Sequence, residues 1–134
     1  MPHRHQGLPR LLLAGFLMTP GLAVHAQVAS FDCRKATTLA ERTVCATPAL
    51  GRKDIAVATY YEVLLRLKPG ASGMAYREFD DTIRDGQREW LQGQRDACGA
   101  ELACLQRAYD ERLDALRTSL DANAALTFGR SLDP

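Results

Sequence analysis

Four cysteines constrain this chain more than any other feature: Cys33 and Cys45, then Cys98 and Cys104. In a short secreted chain, cysteines are far more often paired than metal-bound or catalytic. Four cysteines allow three pairings. Reach favours the local one, Cys33 with Cys45 and Cys98 with Cys104. A helix from Thr38 to Cys45 rises about 12 Å at about 1.5 Å per residue. An extended segment from Cys33 to Thr38 spans about 16 Å, enough to fold back along that helix and set Cys33 beside Cys45. At the second pair, one helix is expected to end near Cys98 and the next to begin near Cys104. A reversal there brings the Cα atoms within the roughly 4.4–6.8 Å that a disulfide requires. Loop closure makes each bridge worth about 2–3 kcal/mol, a large share of the roughly 5–15 kcal/mol that holds a small domain folded. A redox-active pair would prefer Cys-x-x-Cys spacing and an electropositive setting; neither pair has that spacing.

The N-terminus supplies the export that the cysteines presuppose. Arg4 and Arg10 form a positive region, Leu11 to about Val24 is apolar, and Val24 and Ala26 are the small residues that a signal peptidase reads. The apolar run is too short for a membrane span and is broken by Pro20-Gly21. Residues 1–26 are therefore expected to be a secretory signal peptide, 27–120 a helical domain and 121–134 a loosely ordered tail. No membrane anchor is expected after cleavage.

Cleavage changes the chemistry available. All three histidines, His3, His5 and His25, lie in the leader, so Ser-His-Asp and Cys-His catalysis leave with it, as does the commonest zinc ligand. No metal or cofactor is expected. Arg4 and Arg10 leave too, so 17 basic residues become 15 against 16 acidic ones. A charge near −1 argues against nucleic-acid binding, which needs a basic field.

The remaining pattern is all-α: a small disulfide-stapled bundle of about four helices, one short and three longer. Thr38-Leu39-Ala40-Glu41 fits a capping box and opens a short helix to about Cys45. Pro48 ends that helix and suits the first turn of a second, to about Leu67. Its stripe is Leu50, Val57, Tyr61 and Leu64, interrupted by Lys53 and Asp54. Lys68 to Gly73 is a turn by composition. A third helix from about Met74 to Ala97 carries Tyr76, Phe79, Ile83, Gly86, Trp90, Gly93 and Ala97 on one face. Gly86 and Gly93 on that face imply either close approach of a neighbouring helix or a local kink. A fourth helix to about Leu120 carries Leu102, Leu105, Tyr109, Leu113, Leu116 and Leu120.

Phe31-Asp32-Cys33 and Glu41-Arg42-Thr43-Val44-Cys45-Ala46 resemble the N-terminal segment of the lysozyme inhibitor LprI-like family. Asp54 and Tyr61, then Gln87-Arg88-Glu89-Trp90-Leu91 and Arg95-Asp96-Ala97-Cys98, then Cys104-Leu105, Tyr109, Arg112-Leu113 and Leu116 continue the likeness, over about residues 31–117. Lys53 stands where the family often has leucine, and the gap from Trp90 to Arg95 is one residue longer than usual. The lipid attachment of some members has no counterpart here. The resemblance implies an exported helical protein that binds and blocks lysozyme or another cell-wall hydrolase, with Ser72, Trp90, Arg95 and Asp96 as candidate partner contacts. Ser72 reads first as part of a solvent turn and Trp90 first as core, while Arg95 and Asp96 read equally as residues that cap or tie down the end of the third helix. The alternative is a non-inhibitory periplasmic protein that binds peptidoglycan or an envelope partner. Catalysis is the least favoured class. The carboxylate pairs Asp80/Asp81 and Asp110/Glu111 are adjacent on helices and point apart.

Overall fold

A computed structural model describes residues 28–67 and 73–128. The expected leader, the turn tip that carries Ser72, and residues 129–134 lie outside them. Four α-helices and no strand occur among the described residues: α1 (Leu39–Ala46), α2 (Pro48–Leu64), α3 (Gly73–Trp90) and α4 (Leu102–Phe128). The chain is all-α, as expected.

The local chemistry explains each boundary. The Thr38 hydroxyl accepts the Glu41 amide at 3.0 Å, and the Glu41 carboxylate accepts the Thr38 amide at 3.1 Å, which completes the capping box. A 3-10 turn over Cys33–Lys35 precedes α1. Cys33 and Cys45 are joined across it with Cα atoms 5.8 Å apart. Eight residues are too few for a helix to hold alone, so the bridge and the cap stabilise α1 together. Pro48 occupies the first turn of α2, where its missing N–H costs nothing. That helix ends at Leu64 rather than Leu67, though the Leu67 side chain is still buried.

Side-chain pairings give the topology. Asp54 meets Tyr109 and Tyr60 meets Arg117, so α2 and α4 run in the same direction. Gln87 meets Arg112 and Trp90 meets Ala108, so α3 runs against α4. Helices α2 and α4 form the most extensive contact, while α1 packs on α2 and on the turn that follows α3. The core is Ala40 and Val44 from α1, Leu50, Val57 and Leu64 from α2, Ile83 and Trp90 from α3, and Leu105, Tyr109, Leu113 and Leu116 from α4. Leu102, expected on that last stripe, is 44 % exposed. It is the first residue of α4 and lies beyond the end of the packed seam.

The third helix departs from expectation after Trp90. A π-helical turn spans Leu91–Arg95 and a 3-10 turn spans Asp96–Cys98. A π turn accommodates one extra residue within a helix. The register shifts as a result. Gly93 and Ala97 turn outward, and Arg95 turns inward. Close helix approach at the two glycines is not found. A Cβ at Gly86 would meet only the Arg112 guanidinium, at 3.8 Å, and one at Gly93 would meet nothing within 4 Å. Gly93 instead sits inside the irregular turn. The glycine that does permit close approach is Gly51, where a Cβ would collide with the Val28 carbonyl. The segment leading into the clasp thus lies directly on α2.

Gly99 takes a positive φ of 55° after the 3-10 turn, a conformation glycine adopts without steric cost. Cys98 and Cys104 close across this reversal, Cα atoms 5.5 Å apart. Both disulfides therefore follow the local pairing. The Glu101 carboxylate accepts the Ala103 amide at 3.0 Å and the Cys104 amide as well, capping α4. That helix runs on to Phe128, past the end expected near Leu120.

Candidate functional site

Among the described residues the bundle buries two charged side chains, Asp54 at 4 % exposure and Arg95 at 6 %. A buried charge is tolerated only when it is paired or hydrogen-bonded. Asp54 meets that condition with both oxygens. Its Oδ1 accepts the Tyr109 hydroxyl at 2.8 Å and its Oδ2 accepts the Ser30 amide at 2.7 Å. Burial, followed by the neighbouring Asp54 carboxylate, pushes the Tyr109 phenol well above its ordinary value. Tyr109 therefore stays protonated and remains a donor.

Arg95 reaches this region because the π turn rotates it inward. Its Nε donates to Asp96 at 2.8 Å, and an Nη donates to Glu41 at 3.4 Å. The guanidinium also lies 6.0 Å from the centre of the Phe31 ring, within cation–π range. Burial alone would lower its pKa. The bond to Asp96 and the neighbouring charges outweigh burial and raise it. Glu41 serves two structures at once. Its Oε2 caps α1 through the amides of Thr37 and Thr38, and its Oε1 holds Arg95. Burial acts to raise the Glu41 pKa, but those amides, the Thr37 hydroxyl and the Arg95 charge hold it below the ordinary carboxyl value.

Trp90 lines the same pocket as the two charged groups. It is 2 % exposed. Its indole N–H donates to the Ala108 carbonyl at 3.1 Å, and its ring meets Tyr109 edge-on, centroids 5.1 Å apart. Phe31, Glu41, Asp54, Gln87, Trp90 and Arg95 line a pocket of about 240 Å³. A shallower depression of about 350 Å³ runs along α2 beside Ile55, Ala58 and Val63.

Of the residues singled out from sequence, Trp90, Arg95 and Asp96 come together in one cluster, and Trp90 packs in the core. Ser72 lies outside the described residues. Sequence reasoning missed Asp54, Tyr109 and the second role of Glu41. The available signal was Asp54 itself. A carboxylate between Leu50 and Val57 on an apolar stripe faces the core and needs a donor there. Tyr109, on the stripe of the facing helix, is that donor. The cluster links the N-terminal segment, α1, α2, the end of α3 and α4. Its ionisable groups bind one another, so the arrangement stiffens the domain and orients its surface.

The family model for the lysozyme inhibitor LprI matches residues 33–116. No curated protein and no solved structure matches the chain significantly. The matched span covers more than half of the sequence and contains both disulfides and the Glu41–Arg95 and Asp54–Tyr109 pairs. This chain belongs to the lysozyme inhibitor LprI family.

Proposed function

We propose that this chain is an exported binding protein that inhibits a lysozyme-type muramidase or a related cell-wall hydrolase. The observation that carries this reading is the family match over residues 33–116. Two features support binding rather than turnover. The buried ionisable side chains, Asp54 and Arg95, are each held by two partners within the protein. The domain is also pre-organised by two disulfides and a buried polar cluster, which lowers the ordering cost of association. Export is supported by the two disulfides, which persist in oxidising compartments, and by the leader pattern of the first 26 residues. No helix among the described residues is long and apolar enough to cross a membrane.

Lysozyme-type hydrolysis depends on two carboxylates facing each other across a sugar-binding cleft. A rigid domain that occupies the cleft, or sets a cation against that pair, stops the reaction. The test is a turbidity assay of cell-wall clearing with the oxidised chain 27–134, beside its reduced form. Dose-dependent slowing that reduction abolishes is the expected result. No effect on lysozymes of several types would overturn the inhibitor reading and favour binding to peptidoglycan or an envelope partner.

A further inference from the structure

The chain enters the bundle through a short strap, residues 28–31, laid along α2. The Val28 carbonyl rests on Gly51, near the start of that helix, in the space that a Cβ there would occupy. The Val44 carbonyl of α1 lies 3.7 Å from the same point, so the strap fills the corner between the two helices. Ala29 is 0 % exposed and belongs to the core. The Ser30 amide donates to Asp54 Oδ2 at 2.7 Å, the carboxylate oxygen that Tyr109 does not take. Cys33 follows, bridged to Cys45. The strap is held by a buried side chain, by a helix position that suits only glycine and by a hydrogen bond to a charged acceptor.

This strap begins just past the expected cleavage point. Gln27 alone separates Val28 from the Ala26–Gln27 bond. No more than about 10 Å of fully extended chain joins that bond to Ala29. A protease takes its substrate as an extended strand and pairs with its backbone around the bond to be cut. The Val28 carbonyl is packed onto Gly51 and the Ser30 amide is committed to Asp54. Neither is available for that pairing while the strap is docked.

We infer that docking of residues 28–31 onto Gly51 and Asp54 and cleavage after Ala26 exclude each other, so that leader removal comes first and strap docking is the closing step of folding. The inference rests on the export reading above, with its cleavable leader. A precursor that docks its strap early protects its own leader and is cut only when the strap opens. The rate of cutting then follows the population of the open form.

The experiment follows signal-peptidase cleavage of the full-length precursor, refolded and oxidised, beside a peptide of residues 11–32 that has no bundle to dock on. The peptide should be cut after Ala26. The folded precursor should be cut about 10- to 100-fold more slowly, the factor expected for a hydrogen bond to a charged acceptor. Ser30→Pro removes the amide donor and Gly51→Ala fills the slot. Each should return the folded precursor toward the peptide's rate, while Ser30→Pro within the peptide should leave that rate unchanged. A Gly-Ser insert of about six residues between Gln27 and Val28 adds about 20 Å of reach. It should restore cleavage without lowering the melting temperature, a split that general destabilisation would not produce. The insert leaves every strap contact in place, so it decides the question even where Ser30→Pro or Gly51→Ala prevents folding. Equal rates for folded precursor and peptide would overturn the inference and leave the export reading intact, as would an insert that changes nothing. A peptide left uncut after Ala26 would overturn the cleavable leader and the inference with it.

Discussion

Arg95 and Arg112 both rest against aromatic rings of the same bundle, 6.0 Å from Phe31 and 5.9 Å from Trp90, yet their surroundings differ. Arg95 is 6 % exposed and has two carboxylates. Arg112 is half-buried and has one amide. The pKa directions follow: Arg95 is raised despite its burial, and Arg112 is lowered by it. In the first case neighbouring carboxylates compensate the desolvation of the charge, and in the second the only side-chain hydrogen-bond partner shown is the Gln87 amide. Arg95 therefore ties α1 to the end of α3 through charge, whereas Arg112 ties α4 to α3 through an amide.

The largest expected effect breaks this comparison directly. Arg95→Met leaves Glu41 and Asp96 without their cation. Removing one member of a buried pair costs about 3–5 kcal/mol. Both acids keep some solvent contact, 21 and 27 % for their side chains, which places the expected loss near the lower end, about 3 kcal/mol. Arg112→Met removes no ion pair and should cost about 1 kcal/mol. Urea unfolding of the oxidised proteins measures both. Equal losses would erase the distinction between the charge-paired and the amide-paired arginine.

That distinction was only partly visible in the sequence. Helix α1 was legible because its cap is a local pattern, Thr38 to Glu41. The disulfides were legible because chain reach restricts which cysteines meet. The apolar spacing placed Ile83 and Trp90 correctly. It failed at Gly93 and Ala97 because periodicity assumes a constant turn, and the π turn at Leu91–Arg95 adds a residue. Arg95 consequently read as a partner contact or as a tie at the end of a helix, and its burial was not visible. Asp54 was read as an interruption of a stripe because its partners, Ser30 and Tyr109, are 24 and 55 positions away. Arg112 carried no separate signal, since the absence of an acid around it is a property of the packed bundle.

An intermediate effect sharpens the account of the tie. Tyr109→Phe removes the hydroxyl that bonds Asp54 and leaves one carboxylate oxygen buried without that donor. The expected cost is about 1–3 kcal/mol. If the Asp54 and Arg95 ends of the cluster act together, the double change Tyr109→Phe with Arg95→Met should depart from additivity by at least about 0.5 kcal/mol. Tyr109→Phe with Arg112→Met should add to within about 0.5 kcal/mol if Arg112 stands outside the cluster. Coupling of the same size in both pairs would merge the two arginines into one network.

The smallest effect is read through pH. Glu41 titrates below its ordinary value of 4.5 in the folded protein. A carboxyl lowered on folding binds fewer protons in the native state, so its contribution is fully present above the unfolded pKa. It is lost as pH falls through the folded pKa. The parent should therefore lose stability on acidification from about pH 4.5 downward, and Glu41→Gln should lose less over that interval. At neutral pH the variant should be about 1 kcal/mol less stable, and the gap should close at the acid end. Arg112 stays charged throughout this range, so Arg112→Gln should follow the parent's slope. A flattened profile in Arg112→Gln would mean that an acidic group couples to it after all. A flattened profile in Glu41→Gln alone assigns the pH response to the Glu41–Arg95 tie and its α1 cap.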